Sequence, residues 1–424
     1  MPPTSILTGA TADQLVQAVA ANHRELFRQE ARSLGGSVSE SAGLCWTSGT
    51  PRSTSMIAFP ELSQETAGHQ LDEIMDYYVR HPPGGAGCWS LDPPQPPDLG
   101  IRLLARGFQP GWRPHWMALD LSRMRAGQQS PAGLRIVRDN EIQLLSVRDL
   151  PYAQVVMPIP SQTEFPGQWV RFVASIKKRV VGQSVVFLTT GARGVAGIYH
   201  VGVIPQERNK GIGKAVTLMA CQYAIDQGYR YAVLNSTDAG RKPYGQLGFE
   251  AIGDGWTWWL VTERLLAQPP DSSTVRLAEA VGRADEAGLA VSRRENPSRN
   301  LNGLLTNGMT LMQLAVHCRQ TRSAEWLIEG GAEYTVLDAW DLGWKDRAAQ
   351  LLRSDRQRIH QLYGKEEKSL LHVAAERNDE ALAELALAAG PDLYWRDNTW
   401  KATPLEWANY FGYANIARMI RERR

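Results

Sequence analysis

The chain has 424 residues, enough for several domains, and its formal net charge of +2 at pH 7 gives no case for wholesale nucleic-acid binding. Its four cysteines stand far apart and in no metal-ligand spacing, so we expect a reducing, cytoplasmic setting and no metal centre. No apolar run approaches the roughly 18 residues of a membrane-spanning helix, and the first residues lack the basic start of a secretion signal, so we expect no membrane partner.

The first 127 residues combine helices with short strands. Thr11 is placed to cap a helix that runs to about Ser33, and residues 71–79 form a second amphipathic pattern. Residues 81–97 are rich in proline and glycine, which predicts a loop or a series of turns. Residues 116–121 are apolar and predict a strand. These features indicate a domain with both α and β elements.

A second set of elements follows the polar linker at residues 125–131. Residues 134–137 alternate as a strand and residues 140–149 are predicted to be helical. Residues 151–166 contain four prolines, which predicts a loop on the substrate side. Residues 172–178 are predicted as a short helix and residues 185–188 as a strand.

The sequence from residue 195 to residue 249 has the order strand, glycine loop, helix, strand, loop and short helix. Residues 197–204 are apolar and β-prone until Pro205 stops them, and residues 214–227 repeat apolar positions at helical spacing. Gly211 and Gly213 lie between the two elements, and residues 231–234 form another buried strand pattern. A glycine loop that leads into a helix exposes backbone N–H groups and the positive end of the helix dipole, so it is suited to phosphate oxygens.

Two other phosphate motifs are excluded. A P-loop needs a different glycine spacing and a hydroxyl after its lysine, whereas Lys214 is followed by Ala215. A dinucleotide fingerprint needs a third glycine, which is absent after Gly213.

The pattern Arg208-x-x-Gly211-x-Gly213 after a Val-x-Val-x-Pro strand resembles the acetyl-CoA pyrophosphate loop of the GNAT superfamily of N-acyltransferases. In that superfamily a Tyr-x-x-Leu-Gly-Phe element follows the next strand, and Tyr244 to Phe249 supply it here. A generic βαβ turn would explain the glycines but not the tyrosine element. The resemblance implies an α/β (α+β) fold with a mixed central sheet flanked by helices, and acetyl-CoA as cosubstrate with no metal.

The resemblance assigns a set of residues around the loop to acetyl-CoA. They are Val201, Val203, Arg208, Asn209, Lys210, Gly211, Ile212, Gly213, Lys214, Asn235 and Ser236. Asn235 and Ser236 end a strand, and they could bind CoA, orient a water molecule, or cap the following turn.

The transfer of an acyl group to an amine needs an oxyanion donor, a base and a group that stabilises the departing thiolate. A backbone N–H near Val203 would serve the thioester oxygen. Tyr244 matches the superfamily's position for a catalytic acid or a hydrogen-bond donor to the thiolate, or it could pack against CoA. His200 is the candidate base, although a single histidine on an apolar strand is as often a core residue. Asp238 and Glu141 are further carboxylate candidates.

Residues 1–127 contain a weaker form of the same pattern. Arg106-Gly107-Phe108 stands before a strand where Leu-Gly-Phe is usual, and no Arg-x-x-Gly-x-Gly pattern occurs before residue 127. We therefore predict a degenerate GNAT-like domain at 1–127 that walls the acceptor cleft of a catalytic domain at 132–265; an unrelated α/β cap is the alternative. Trp256, Trp258 and Trp259 lie on the closing strand, either packed between the two copies or forming an aromatic wall.

Residues 272–424 are rich in alanine and leucine and contain an internal repeat. Residues 402–408 match residues 368–374, which lie 34 positions earlier. Thr403-Pro404-Leu405 and Leu371-His372 resemble the start of ankyrin repeats, which implies an all-α solenoid with His372 in a structural role and a surface for a protein partner.

These observations predict an acetyl-CoA-dependent N-acetyltransferase. The acceptor is either a small-molecule or peptidic amine, such as an antibiotic that the enzyme inactivates or to which it gives self-resistance, or a protein lysine or N-terminus recruited by the ankyrin array. A non-catalytic acetyl-CoA-binding scaffold is the hypothesis from another class. The sequence leaves the acceptor, the acyl length, the base and the oligomeric state undefined.

Overall fold

A computed structural model describes residues 5–50, 53–124, 131–141, 144–154 and 167–423. The chain divides into two compact units, Met1–Asp271 and Ser272–Arg424. Most of the predicted linker at 125–131 and of the predicted loop at 151–166 lies outside the described residues. None of the helices in the described part of the chain combines the length and the apolar character that crossing a bilayer requires.

The first unit is built on a mixed sheet with helices packed against it. Its strands are β1 Ser37–Ser41, β2 Leu44–Ser48, β3 Thr54–Ala58, β4 Gly85–Leu91, β5 Phe108–Pro110, β6 His115–Asp120, β7 Leu134–Arg138, β8 Trp169–Ile176, β9 Arg179–Leu188, β10 Ala196–Val203, β11 Tyr231–Ser236 and β12 Glu250–Leu260. Its helices are α1 Ala12–Ser33, α2 Ala67–Arg80, α3 Leu99–Ala105, α4 Ile212–Asp226, α5 Asp238–Gly245 and α6 Thr262–Ala267.

Residues 1–127 and 132–265, here called the first half and the second half of this unit, exchange strands within the sheet. The strand order is β1-β2-β3-β4-β12-β6-β11-β10-β9-β8-β7, with β5 also paired to β12. β6 comes from the first 127 residues, yet it pairs with β11 and β12. β12 comes from the end of the unit, yet it pairs with β4 and β5 of the first half. Hydrogen bonds of one sheet therefore cross the predicted boundary near residue 127.

Helix α1 fastens the first half onto the second. As predicted, Thr11 caps it, and its side chain and that of Gln14 form a capping box. Further along, the Asn22 amide donates to the carbonyl oxygens of Phe187 and Val195, and Asn22 Oδ1 accepts from the Tyr199 hydroxyl at 2.7 Å. These bonds satisfy a buried amide, so they fix the position of α1 on β9 and β10.

Two predicted helices of the second half are wrong. Residues 172–176 belong to strand β8, which is buried on both faces for most of its length, and Lys177 and Lys178 form the turn into β9. Both lysines have positive φ, which matches the twist of a tight hairpin. No helix is found in the described part of residues 140–149, where Asn140 instead bonds the backbone of Trp169 and Arg171.

The second unit is helical throughout its regular structure. Its α-helices are α7 Ser272–Arg283, α8 Glu286–Glu295, α9 Leu311–His317, α10 Thr321–Glu329, α11 Val336–Asp341, α12 Lys345–Ser354, α13 Leu370–Arg377, α14 Glu380–Ala388, α15 Pro404–Phe411 and α16 Ala414–Arg421. They contact one another as consecutive pairs, and neighbouring pairs pack together, as α13 does on α15.

A capped helix start recurs in this unit every 34 residues. Thr335, Ser369 and Thr403 each accept a hydrogen bond from the third residue of the helix that follows. His372 is fully buried, with Nδ1 2.8 Å from Ser369 Oγ and Nε2 2.9 Å from Ala402 O. Nδ1 therefore bonds the cap of its own helix and Nε2 bonds the start of the next repeat, which is a structural role.

Candidate active site

Strands β10 and β11 separate after a short contact. They are parallel and pair only at Ala196 with Ala232 and at Gly197 with Val233. Against its other neighbour, β9, strand β10 bulges between Tyr199 and Gly202, and His200 has a φ of +50°. The backbone of β10 beyond residue 197 is thus free of ladder bonds to β11.

The loop at residues 208–214, here called the phosphate loop, joins β10 to helix α4. Gly211 is the N-cap of α4 with a φ of +83°, a left-handed conformation that glycine adopts without strain. The first N–H groups of a helix have no partner inside it, and they carry the positive end of its dipole. The loop therefore presents backbone donors as the sequence predicted.

Positive side chains surround the phosphate loop. Arg208 and Lys210 are exposed, and Lys214 is half-buried and bonded to Gln246. Lys210 also donates to Glu207 at 2.9 Å, and this bond, with the nearby Arg179, lowers the pKa of the Glu207 carboxyl. Arg208 Nε donates to the Val203 carbonyl oxygen at 3.3 Å, which holds this guanidinium beside the end of β10.

A cavity of about 730 Å³ opens beside the separated part of β10. From the second half it is lined by Tyr152, His200, Val201, Asn235, Ser236 and Tyr244. From the first half it is lined by His23, Phe27, Glu30, Met56, Trp89 and Trp112. The structure therefore brings five of the predicted site residues together in one cavity. The predicted residues Val203 and 208–214 are not among its lining residues; Val203 ends β10, and residues 208–214 follow that strand.

Tyr244 lies on α5 and faces this cavity. Its ring packs edge-on against Phe249, with 6.0 Å between the ring centroids. Burial, followed by the neighbouring Tyr152, raises the pKa of Tyr244 to about 12. The phenol therefore stays protonated near neutral pH, so it is available as a hydrogen-bond donor.

His200 lines the cavity rather than the core. Its side chain is 18% exposed, and its ring centroid lies 5.4 Å from that of Tyr152. His200 Nε2 lies 3.5 Å from Glu30 Oε1 without a hydrogen bond, and it has no other partner in the described part of the chain. Sequence reasoning missed Glu30, because it comes from α1 and nothing in the local sequence links it to His200.

His23 is a second residue that sequence reasoning missed. It is buried among aromatic rings and stacks on Phe27 with 4.4 Å between ring centroids. Burial, and next the charge of His200, lower the pKa of His23 to about 3. Its imidazole is therefore neutral at physiological pH and adds no positive charge to the cavity.

The tryptophans of β12 divide between the two faces of that strand. Trp258 is buried in the core of the first half, and Trp256 packs against that core beneath the Arg113 guanidinium. Trp259 lies on the other face and lines the cavity with Trp89. The alternation of side chains along a strand explains this division.

The two lesser carboxylate candidates do not line the cavity. Asp238 Oδ1 instead lies 2.8 Å from His115 Nε2. The other ring nitrogen of His115, Nδ1, lies 2.5 Å from Asp254 Oδ1. Glu141 is exposed beyond β7. In the described ranges, no group of three or more metal-ligating side chains is arranged to hold a metal ion.

Comparison with known proteins finds a family match for part of the second half. Residues 144–249 match the model of the acetyltransferase (GNAT) family. The chain is also similar to a solved GCN5-related N-acetyltransferase from Kribbella flavida, at 17% identity and a TM-score of 0.44 over 57% of this chain and 95% of that one. A tandem GNAT protein from the clavulanic acid biosynthesis pathway matches at 15% identity and a TM-score of 0.39, over 62% and 99% of the two chains. No curated protein matches the sequence.

The family match defines the protein as an acyltransferase. Within this class, the chain carries an acetyltransferase domain of the GNAT family, whose members generally use acetyl-CoA. The match includes the phosphate loop and Tyr244, which are the residues on which the sequence resemblance rests.

Proposed function

We propose that the protein transfers an acetyl group from acetyl-CoA to the amine of a small-molecule or peptidic acceptor. The observation that carries this proposal is the separation of β10 from β11 beyond residue 197, because the cavity lies beside the separated part of β10 and the phosphate loop follows its end. The pyrophosphate of acetyl-CoA would lie on residues 208–214, and its thioester would reach the cavity beside Tyr244. Asn235 and Ser236, on the facing strand, would contact the pantetheine arm.

The reaction needs no covalent enzyme intermediate. The amine nitrogen attacks the thioester carbon, the C–N bond forms, and the C–S bond breaks as CoA leaves as a thiolate. His200 would receive the proton that the amine releases, because its Nε2 is unpartnered at the cavity wall. Backbone N–H groups of β10 would stabilise the oxyanion.

The structure favours one of the two roles predicted for Tyr244. A pKa of about 12 lies well above that of an ordinary thiol, near 8.5, so complete proton transfer to the thiolate is uphill. A hydrogen bond from the phenol to the thiolate has no such cost and stabilises the charge that develops on sulfur.

We propose that residues 1–127 are a degenerate copy of the catalytic domain at 132–265. The support is the exchange of β6 and β12 between the two halves, together with the absence of an Arg-x-x-Gly-x-Gly pattern from the sequence before residue 127. In this proposal the first copy has lost the ability to bind acetyl-CoA and serves as a wall of the acceptor cavity.

We propose that Ser272–Arg424 is an ankyrin-like array that binds a partner or the acceptor. The 34-residue recurrence of capped helices and the position of His372 support this assignment. Trp340 and Trp407 bond Asp379 and Asp397 inside the unit, so they serve packing, whereas Trp400 is 72% exposed. Recruitment of a protein lysine or N-terminus by this array is the alternative acceptor class.

Titration calorimetry with acetyl-CoA on the full chain tests the proposal. Gly213→Asp places a carboxylate in the first turn of α4, where it suits the helix dipole but repels a pyrophosphate. We expect its affinity to fall by about tenfold or more, since charge-assisted hydrogen bonds are lost. Gly9→Asp, at a glycine whose Cβ would meet open space, is the matched control and should bind normally. Absence of binding by the unaltered chain would contradict the proposal.

A further inference from the structure

We infer that the acceptor is a small cationic amine with a flat apolar body, and that Glu30 of the first half binds its ammonium group beside His200. The inference rests on the proposed acetyl transfer and adds the substrate class of the same cavity. It also gives the first half a part in acceptor binding rather than in support alone.

The charge of the cavity favours a cation. Among the described residues that line it, Glu30 carries the permanent charge, and neither lysine nor arginine is present. The nearest arginines of α1 are engaged elsewhere: Arg24 pairs with Glu61, and Arg28 pairs with Glu25 and Glu40. The ion-pair partner of the Glu30 carboxylate among the described residues is His200 at 3.5 Å, so neither a lysine nor an arginine of the cavity lining offsets its charge.

The position of Glu30 in its helix does not serve the helix itself. Glu30 lies in the last turn of α1, where the negative end of the dipole disfavours a carboxylate. Its side chain is 28% exposed, and His200 Nε2 lies 3.5 Å away. Buried hydrogen bonds of Asn22 fix α1 on β9 and β10, so the helix that carries Glu30 has a fixed position beside His200. An ammonium group beside the Glu30 carboxylate would have a charged partner, with the His200 imidazole adjacent as a proton acceptor.

The walls of the cavity favour a flat apolar body. Phe27, Trp89, Trp112 and Trp259 line it, and the Trp89 and Trp112 rings meet edge to face with 5.5 Å between centroids. Aromatic faces attract both flat apolar groups and cations. An acceptor that carries a carboxylate would face Glu30 without a positive side chain to offset the repulsion.

Calorimetry with two matched compounds on the full chain tests this inference. Tryptophan differs from tryptamine by one carboxylate, so the pair isolates the effect of negative charge on an otherwise equal ring and amine. We expect tryptamine to bind about tenfold or more tightly than tryptophan. Butylamine, which keeps the cation without the ring, should bind more weakly than tryptamine because it loses the aromatic contacts.

Variants assign the selectivity to Glu30. Glu30→Gln should weaken tryptamine binding about tenfold and leave acetyl-CoA binding unchanged, whereas Glu30→Asp should keep the preference for tryptamine over tryptophan. Glu73→Gln, on the exposed face of α2, is the matched control and should change neither affinity. Circular dichroism of each variant confirms that α1 remains folded.

Three outcomes would overturn the inference: equal binding of tryptamine and tryptophan, unchanged tryptamine binding by Glu30→Gln, and no measurable binding of tryptamine by the unaltered chain. None of these requires turnover. A failure of the proposed acetyl transfer would show itself separately, as a lack of acetyl-CoA binding while tryptamine still binds with the predicted selectivity.

Discussion

The phosphate loop follows the end of β10 and the cavity lies beside residues 198–201 of the same strand, and the chain builds them in different ways. The loop is formed by consecutive residues, 208–214, whose backbone does the binding and whose conformation depends on Gly211 at positive φ. The cavity is assembled from side chains that are far apart in sequence, such as Glu30, Trp89 and His200. A local backbone site needs only a short motif, whereas the cavity requires both halves of the first unit to fold together.

The largest expected effect comes from separating the two halves. Residues 132–271 alone lack β6, so β11 and β12 lose the strand that pairs with both of them. Unpaired buried backbone groups are costly, so we expect this fragment to show no cooperative thermal unfolding. Residues 1–271, which keep every strand of the sheet, are the control and should unfold cooperatively. A folded 132–271 fragment that binds acetyl-CoA would show that the halves are independent.

The contrast between loop and cavity also explains what the sequence could predict. Thr11, the glycine loop and Tyr244 depend on neighbours within a few residues, so their patterns are visible in the chain and the predicted helix starts and loop are found. The pairing of Glu30 with His200 spans two elements whose sequences say nothing of each other. The sequence predicts a helix at residues 172–178, where strand β8 lies, because a strand buried on both faces shows no alternation of apolar and polar residues.

The next effect concerns the cavity side alone and depends on pH. The pKa of His23 is about 3 in the folded protein and near 6.5 when unfolded, so between these values only the unfolded state binds the proton. The free energy of unfolding therefore falls as pH drops below 6.5, by roughly 4 kcal/mol when pH 3 is reached. Urea unfolding at several pH values should show this slope.

The variant His23→Leu isolates that contribution, because other carboxylates and histidines also titrate in this range. It should remove the part of the slope that lies between pH 6.5 and 3, whereas His69→Gln, at an exposed position on α2, should not. If the free energy of unfolding of His23→Leu and of the unaltered chain fell equally with pH, His23 would have the same pKa in the folded and unfolded states.

The smallest expected effect concerns Tyr244, which lines the cavity. Tyr244→Phe removes the hydroxyl and keeps the ring that packs on Phe249, so the fold and the affinity for acetyl-CoA should be retained. The loss of a hydrogen bond to a developing thiolate should lower kcat about 10- to 100-fold in a thiol-release assay. A non-catalytic scaffold would be indifferent to this change, so the same variant also decides between an enzyme and a scaffold.

The pH dependence of that loss identifies the role of the hydroxyl. A tyrosine with its ordinary pKa near 10 would be half ionised at pH 10 and would donate less, whereas a pKa of about 12 keeps the phenol protonated there. The ratio of kcat between the unaltered chain and Tyr244→Phe should therefore stay constant from about pH 7 to about pH 10. A ratio that shrinks toward pH 10 would show that Tyr244 ionises in this range. Burial beside Tyr152 would then not raise the pKa of Tyr244 above its ordinary value.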